Sequence, residues 1–435
     1  WELSYGAAAV LLVGFLACIY LFAANPIVNP DGFLYVQQAK ALCLGPYDQI
    51  LNCYVCLSPY SIVIAMAYRL LGDWVLAAQW VNLVFYTVSI LPLYCLLRCF
   101  FKDPMAWITF LIYALLPAYV LVSRDMLRGP MFWFFAAIGL HFSVLNIDRR
   151  RPFWLILSNT CFVIGAWSRI EGSLVIAASA LFLVLKDGKH RFLDLICFLA
   201  TCAIIGIFGG TAAYFQDIDL PALLKPERIP SRLTGSCHHY NMLREQLKNL
   251  YDTDLVDSGY FFFRRVRNLV WLIALGALTV LLAETLLYVF LIVFVAAIVF
   301  LANKATSDPR ILYLGSLSFL SFVLLYMQAI YNWAIASRFL AVFLFPAFVF
   351  MGTGIERFST LLSSRFTLNN KKQMVVLCAI IFASLIPKTL IANYDEEKLI
   401  FRQIADQIVK REKNLRSVTI CGAFKHVRVI HFFPM

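Results

Sequence analysis

The chain has 435 residues, of which 62% are hydrophobic and only 14% are charged. This composition, with a mean hydropathy of +0.78, excludes a soluble globular protein and predicts a polytopic membrane protein. The net charge of +12 does not predict nucleic-acid binding, because Lys and Arg cluster in short loops between apolar runs, where they orient the chain and lie near anionic lipid headgroups.

Apolar runs of membrane-spanning length recur along the chain. The first, Leu3–Ala23, has the roughly 20 residues that cross a hydrocarbon core of about 30 Å. It ends at Asn25–Pro30, and an amphipathic helix is predicted over Asp31–Leu44 in the polar loop that follows. Tyr60–Leu71 is too short to span, so we expect it to lie in the interface or to re-enter. Further spans are predicted at Trp74–Leu97, Met105–Leu121, Pro130–Leu145, Phe153–Trp167, Ser173–Leu185, Phe192–Tyr214, Ile311–Met327, Phe339–Met351 and Met374–Ile391.

Charge sets the predicted orientation, because Lys and Arg are concentrated in alternate loops that the positive-inside rule places in the cytoplasm. Arg149–Arg151 marks one such loop, and the loops at 25–59 and 215–268 then face outward. If Leu269–Leu301 contributes one span preceded by an interfacial helix, the chain crosses about eleven times and Arg338 lies outside. Two spans there would place Arg338 on the other face.

The composition changes near the end of the chain. Residues 1–392 are predicted to form one transmembrane domain, and residues 393–435 a small outward-facing soluble α/β segment. Asp395–Asn414 has the pattern of a charged amphipathic helix, and Ser417–Ala423 and His426–Phe433 alternate like short strands.

Acidic residues are scarce, and two of them follow the ends of predicted spans on the outer face. Asp31, Tyr35 and Gln38 recur at i, i+4 and i+7, so one face of a short helix carries a carboxylate, a phenol and an amide. Asp31 could also serve only as the first-turn acid of that helix. Asp125 lies in Ser123–Arg128, where it could act as an interfacial cap paired with neighbouring arginines.

Three more charged residues lie at this predicted face. Arg169 and Glu171 interrupt a nearly continuous apolar stretch, either as part of a site or as a local pair at the turn. Arg338 opens a span, where snorkelling arginines are common. An ionisable cluster at one membrane surface is a functional-site hypothesis by default. His238–His239 does not predict a metal site, because adjacent histidines on a helix point in different directions.

The order of these motifs resembles that of the GT-C superfamily of polytopic membrane glycosyltransferases, in particular the branch of protein O-mannosyltransferases and lipid A aminoarabinose transferases. The resemblance covers nearly the whole chain, although its motifs are short and degenerate. It rests on Asp31 after the first span, Ser58-Pro59-Tyr60, Leu71-Gly72-Asp73, Leu97-Arg98, Leu116-Pro117, Ser123-Arg124-Asp125, Gly165–Gly172 and Ser337–Pro346.

The resemblance implies a GT-C bundle that transfers a sugar from a polyprenyl-phosphate donor on the outer membrane face. By position, Asp31 matches the family's catalytic acidic residue of the first loop, Asp125 the acidic residue of the second loop, and Arg338 the basic residue near the donor phosphate. A carboxylate can accept the proton of an attacking hydroxyl. Arginine suits the geometry of a departing phosphate.

The chain also departs from the family pattern. Asp31 is followed by Gly32 where members often carry a second acid, and Leu57-Ser58 stands where a lysine commonly precedes the proline. We therefore expect the second phosphate contact to come from another basic residue near the site, and the substrate cavity to include further polar residues. The candidates for the phosphate are Lys40, Arg124 and Arg169, and those for the cavity are Tyr35, Gln38 and Glu171.

Two other functions remain open at this point. A catalytically inactive GT-C-like subunit could use the same fold as a scaffold in a larger complex. A transporter is disfavoured, because the acids lie at membrane edges rather than in mid-membrane. The absence of Asn-x-Ser/Thr sequons favours a bacterial inner membrane, with the site facing the periplasm. The expected partners are membrane lipid, the polyprenyl-phosphate donor and a lipid, glycan or protein acceptor. The sequence indicates neither the sugar, nor metal dependence, nor the oligomeric state.

Overall fold

The fold is all-helical in the part of the chain that the computed structural model describes. Those residues are 4–24, 29, 31–45, 57–186, 190–215, 228–252, 257–301, 308–333, 335–366 and 369–390. The predicted α/β segment at 393–435 lies outside them, and no strand occurs within them. The helices are α1 (Tyr5–Ala24), α2 (Gly32–Leu44), α3 (Pro59–Leu71), α4 (Trp74–Arg98), α5 (Met105–Leu115), α6 (Pro117–Ser123), α7 (Gly129–Arg149), α8 (Pro152–Ser168), α9 (Gly172–Leu185), α10 (Arg191–Phe215), α11 (Arg228–Asp252), α12 (Asp257–Thr285), α13 (Val289–Leu301), α14 (Pro309–Asn332), the 3₁₀ helix η1 (Ser337–Leu340), α15 (Ala341–Phe366) and α16 (Asn370–Leu390).

The prediction of a polytopic all-α protein is confirmed, but the number of spans is smaller than eleven in the described ranges. Eight helices are long and apolar enough to cross a membrane, and α5 and α6, bent by 59°, make a ninth if they count as one span. The difference arises because α8, α9 and α13 have only 17, 14 and 13 residues. At 1.5 Å per residue, α9 covers about 21 Å, which is short of the hydrocarbon core.

The helix ends collect at two faces of the bundle. At one of them Arg310, at the start of α14, lies 3.7 Å from Asp148 of α7 and donates to the carbonyl of Cys99 after α4. Arg98 pairs with Asp103 at this same end. We call it the opposite face. The face where α1 ends and α2 begins is called the site face.

The number of times that residues 269–301 cross the bundle decides on which face Arg338 lies. Helix α14 runs away from the opposite face, and Arg338 follows it at the site face, in contact with Asp31. This is the arrangement expected if 269–301 crosses once. The predicted outer loop at 215–268 is largely helical in its described residues, because α11 occupies 228–252 and α12 already begins at Asp257.

The centre of the bundle is aromatic and lies directly beneath the site face. The ring of Tyr113 on α5 packs edge-on against Phe345 and Phe348 of α15, at centroid distances of 5.5 and 5.6 Å. Tyr119 and Trp133 extend this packing toward the start of α7, 4.9 Å apart. All of these side chains are buried. A rigid, densely packed floor therefore supports the loops that carry the predicted site.

Candidate functional site

Asp31 and Arg338 meet at the site face although 307 positions separate them in the chain. Arg338 Nη2 donates to Asp31 Oδ2 at 3.3 Å. The Asp31 side chain is 48% exposed and that of Arg338 26%, so the pair is open to an incoming ligand. The backbone N–H of Asp31 donates to Asn29 Oδ1 at 3.0 Å, which fixes the start of α2.

The loop that holds Asp125 packs directly against the first turn of α2. A Cβ added at Gly32 would lie 2.3 Å from Met126 Cβ and 2.6 Å from the Met126 carbonyl oxygen, so only glycine permits this approach. Asn82 of α4 donates to the carbonyl oxygens of Asp125 and Val122. The loop is therefore held on both sides, and the half-buried Asp125 belongs to the same locality as Asp31.

Arg169 and Phe339 extend the Asp31–Arg338 pair into a continuous cluster. Arg169 Cζ lies 4.7 Å from the centroid of the Phe339 ring, and Arg338 Cζ lies 5.6 Å from the same centroid. We call these three residues the arginine–aromatic cluster. A guanidinium over an aromatic face is attracted to it and is held in orientation. Two cations from distant parts of the chain are thus positioned by one ring.

Glu171 orients Arg169. Its Oε1 accepts from Arg169 Nη2 at 2.9 Å and its Oε2 accepts from Nε at 3.3 Å, a two-point contact with a guanidinium that is itself only 8% exposed. Burial tends to raise the pKa of Glu171, but the attraction of Arg169 and Arg128 outweighs it and holds the pKa below its ordinary value of 4.5. The carboxylate therefore stays ionised at neutral pH.

Arg124 directly precedes Asp125 and contributes a further cation to this loop. Its Nε and Nη1 are buried and have no hydrogen-bond partner in the described part of the chain. Its backbone is fixed, because Gln79 donates to the Arg124 carbonyl oxygen at 3.2 Å. Buried donors without an acceptor cost free energy, about 1–3 kcal/mol each. An anionic ligand beside Asp125 would relieve that cost.

Comparison with known proteins bears on the same part of the chain. Residues 59–210 match the family model described as dolichyl-phosphate-mannose-protein mannosyltransferase. The solved structures that are similar include two of the Archaeoglobus fulgidus oligosaccharyltransferase. The structure of AglB with an inhibitory peptide and a dolichol-phosphate is 14% identical, with a TM-score of 0.53 over 89% of this chain and 55% of that one. The complex with Zn and sulfate is also 14% identical, with a TM-score of 0.55 over 88% and 52%.

The resemblance to the GT-C membrane glycosyltransferases is confirmed. Over residues 59–210 this resemblance is to a family described by a dolichyl-phosphate-linked donor, which supports a polyprenyl-phosphate-dependent activity at the level of family resemblance. At 14% identity the structural likeness shows a shared fold alone, and this chain spans about half the length of the structures it matches. No curated protein sequence matches the chain.

The matched family segment contains only part of the candidate site. It contains Arg124, Asp125, Arg169 and Glu171, whereas Asp31 and Arg338 lie outside 59–210. The structure joins the two parts, because the Phe339 ring lies beside both Arg338 and Arg169. The roles of all these residues in catalysis remain predictions.

Three residues of α2 lie elsewhere than the sequence pattern suggests. Tyr35 is buried, with its ring edge-on to Tyr60 at 5.4 Å. Gln38 is fully buried and its Oε1 accepts from the Ser58 N–H at 2.9 Å, so it joins α2 to the start of α3 and is not exposed at the candidate site. Lys40 Nζ lies 5.9 Å from the centroid of the Trp74 ring. Lys40 is nine residues after Asp31, which is two and a half turns and about 13 Å along the helix, so it points away from Asp31.

Some contributors to the site were not identified from the sequence. Phe339 reads as one more apolar residue of a span, and only its position directly after Arg338 hinted at a role. Asn82 gave a clearer signal, because a buried amide within the apolar helix α4 requires polar partners. Arg128 lies 5.8 Å from the Tyr35 ring and accepts, through its carbonyl oxygen, the Ser168 hydroxyl at 3.1 Å.

Proposed function

We propose that this chain is a membrane glycosyltransferase that moves a sugar from a polyprenyl-phosphate donor to an acceptor at the site face. The observation that carries the proposal is the 3.3 Å contact between Asp31 and Arg338, which sets a carboxylate beside a cation at the membrane boundary. The fold supports it, because the similar AglB structure holds a dolichol-phosphate and an inhibitory peptide.

The proposed reaction needs one base and several cations. Asp31 accepts the proton of the acceptor group, whose heteroatom then forms a bond to the anomeric carbon of the sugar. The bond from that carbon to the phosphate oxygen breaks, and the lipid phosphate leaves with the electron pair. Asp125 lies on the loop against Gly32, and we assign to it the positioning of the acceptor.

The leaving phosphate is proposed to lie against arginine. Arg338 provides the first contact and Arg124, with its two unmatched buried nitrogens, the second. Arg169, which lies over the Phe339 ring in the arginine–aromatic cluster, adds positive charge near the phosphate. Glu171 fixes the orientation of Arg169. Cations placed where negative charge develops stabilise the transition state more than the ground state.

The acceptor is proposed to be a lipid, a glycan or a protein. We further propose a bacterial inner membrane as the location, with the site face toward the periplasm. This orientation rests on the loops rich in Lys and Arg at the opposite face, such as Arg149–Arg151.

The test is a transfer assay with purified protein in proteoliposomes. Polyprenyl phosphates carrying different radiolabelled sugars are supplied with membrane extracts as acceptors, and both labelled product and released lipid phosphate are measured. Asp31→Asn should lower the rate about 10²–10⁴-fold, which is the usual contribution of a general base. Asp73→Asn is the matched control, because Asp73 only caps α4 by accepting from the Leu76 N–H, a role that asparagine performs equally well.

The inactive-scaffold alternative makes the opposite prediction. Asp31→Asn would then leave glycosylation in cells unchanged, provided that the protein inserts normally. Turnover by purified Asp31→Asn within a factor of two of the wild type would reject Asp31 as the base.

A further inference from the structure

The first turns of α12 expose aromatic and basic side chains together. Phe261 and Phe262 are 73% and 63% exposed, and Arg264 and Arg265 follow after Phe263. A groove of about 680 Å³ runs along this part of the helix. It is lined by Phe261, Phe262, Arg264, Arg265, Leu269 and Ile273, among others.

This groove lies at the site face. Helix α11 packs there, with His239 4.6 Å from the Tyr331 ring at the end of α14. Arg267 of α12 pairs with Glu245 of α11 at 3.4 Å, which ties the start of α12 to the same end. From the site face the chain runs toward the opposite face. Phe300 at the end of α13 contacts Arg357, which lies well along α15 in that direction.

The arginines of this groove need an explanation, because the positive-inside rule depletes cations from the site face. Arg267 is matched by Glu245, whereas no ion pair joins Arg264 or Arg265 to any side chain that the structure describes. Below them Leu269 and Ile273 are 37% and 44% exposed, as expected for residues that face acyl chains. A basic and aromatic surface above a lipid-facing surface is the pattern of an interfacial lipid site.

We propose that this groove binds an anionic phospholipid of the leaflet at the site face. The lipid phosphate lies against Arg264 and Arg265, whose planar guanidinium groups match phosphate oxygens. The acyl chains run from there along Leu269 and Ile273, and Phe261 lies about one helical turn above the arginines, beside the headgroup. The charge complementarity identifies a lipid with net negative charge as the occupant, and the exposed Leu269 and Ile273 below the arginines favour a bulk phospholipid. This proposal does not depend on the glycosyltransferase assignment.

The test uses a photo-crosslinking residue in the full chain. Phe261 is replaced by p-benzoylphenylalanine, and the protein is reconstituted with equal amounts of phosphatidylglycerol and phosphatidylcholine that carry identical acyl chains. Mass spectrometry then gives the ratio of the two cross-linked lipids. Phosphatidylglycerol should exceed phosphatidylcholine about fivefold to thirtyfold, as expected for one to two arginines near a headgroup. The same probe at Phe208, which is 71% exposed on α10, should give a ratio near one.

Two further measurements decide the proposal. R264Q/R265Q should bring the ratio at position 261 close to one, whereas R264K/R265K should keep most of the excess. In the wild-type background, about 1 M salt should reduce the excess by screening, which keeps the test valid if the glutamine pair fails to insert. A wild-type ratio near one, an excess that survives both treatments, or preferential capture of polyprenyl phosphate added at 1% of the lipid would each overturn the assignment to phospholipid.

Discussion

Arg338→Ala separates the structural and the proposed catalytic contributions of the Asp31–Arg338 pair. The Arg338 side chain is 26% exposed and that of Asp31 48%. Loss of this ion pair should therefore lower the free energy of unfolding by less than about 1 kcal/mol. The proposed contact with the donor phosphate is worth more, because hydrogen bonds to charged groups contribute roughly 1.5–3 kcal/mol. At 1.4 kcal/mol per factor of ten, kcat/KM should therefore fall about 10–150-fold.

The assay is steady-state transfer in proteoliposomes, with thermal unfolding measured on the same preparations. Both kcat and KM should suffer, because Arg338 is proposed to contact the phosphate in the ground state and as it leaves. Arg98→Ala is the matched control, since it removes a similarly exposed pair with Asp103 at the opposite face. If Arg338→Ala keeps kcat/KM within twofold of the wild type, or loses no more activity than Arg98→Ala, the phosphate role is wrong.

Three further predictions concern the loops around the site. Glu171→Gln should destabilise the protein at pH 7. The folded-state pKa of Glu171 lies below 4.5, so the stabilisation from the Arg169–Glu171 ion pair is present above that pH. The difference in stability between the variant and the wild type should narrow as the pH falls through the lowered pKa. A difference in melting temperature that does not depend on pH would contradict the ion pair. Gly32→Ala should force α2 away from Met126, at a cost of about 1–3 kcal/mol, and should slow transfer; unchanged activity and melting temperature would refute the close contact. A cysteine at position 150 in a cysteine-depleted variant should resist impermeant labels in intact cells, and labelling there would reverse the proposed orientation.

Local patterns of the sequence predicted most helices well. The predicted span Trp74–Leu97 corresponds to α4 over Trp74–Arg98, and the predicted helix Asp31–Leu44 corresponds to α2. Apolar run length and helix-breaking residues suffice for such elements. The bend between α5 and α6 was missed, because Leu116-Pro117 lies within one continuous apolar run.

The composition of the candidate site could be predicted only in part from the sequence. Topology and charge placed Asp31 and Arg338 on one face, but their contact depends on how η1 packs across the bundle. Lys40 failed to join them because helical rotation turns it toward Trp74. Phe339 gave no signal beyond its position directly after Arg338, since an aromatic residue at the start of a span usually faces lipid or core.

The contact between Asp31 and Arg338 also has a consequence for the order of events in the proposed reaction. Before a donor binds, the carboxylate of Asp31, the proposed base, accepts a hydrogen bond from Arg338. A lipid phosphate must compete with Asp31 for the guanidinium, and its success releases the carboxylate. If Asp31 is the base and Arg338 the phosphate contact, as proposed, readiness to accept a proton is coupled to donor occupancy. Simple anions such as sulfate should accordingly act as competitors of the donor rather than as inert salt.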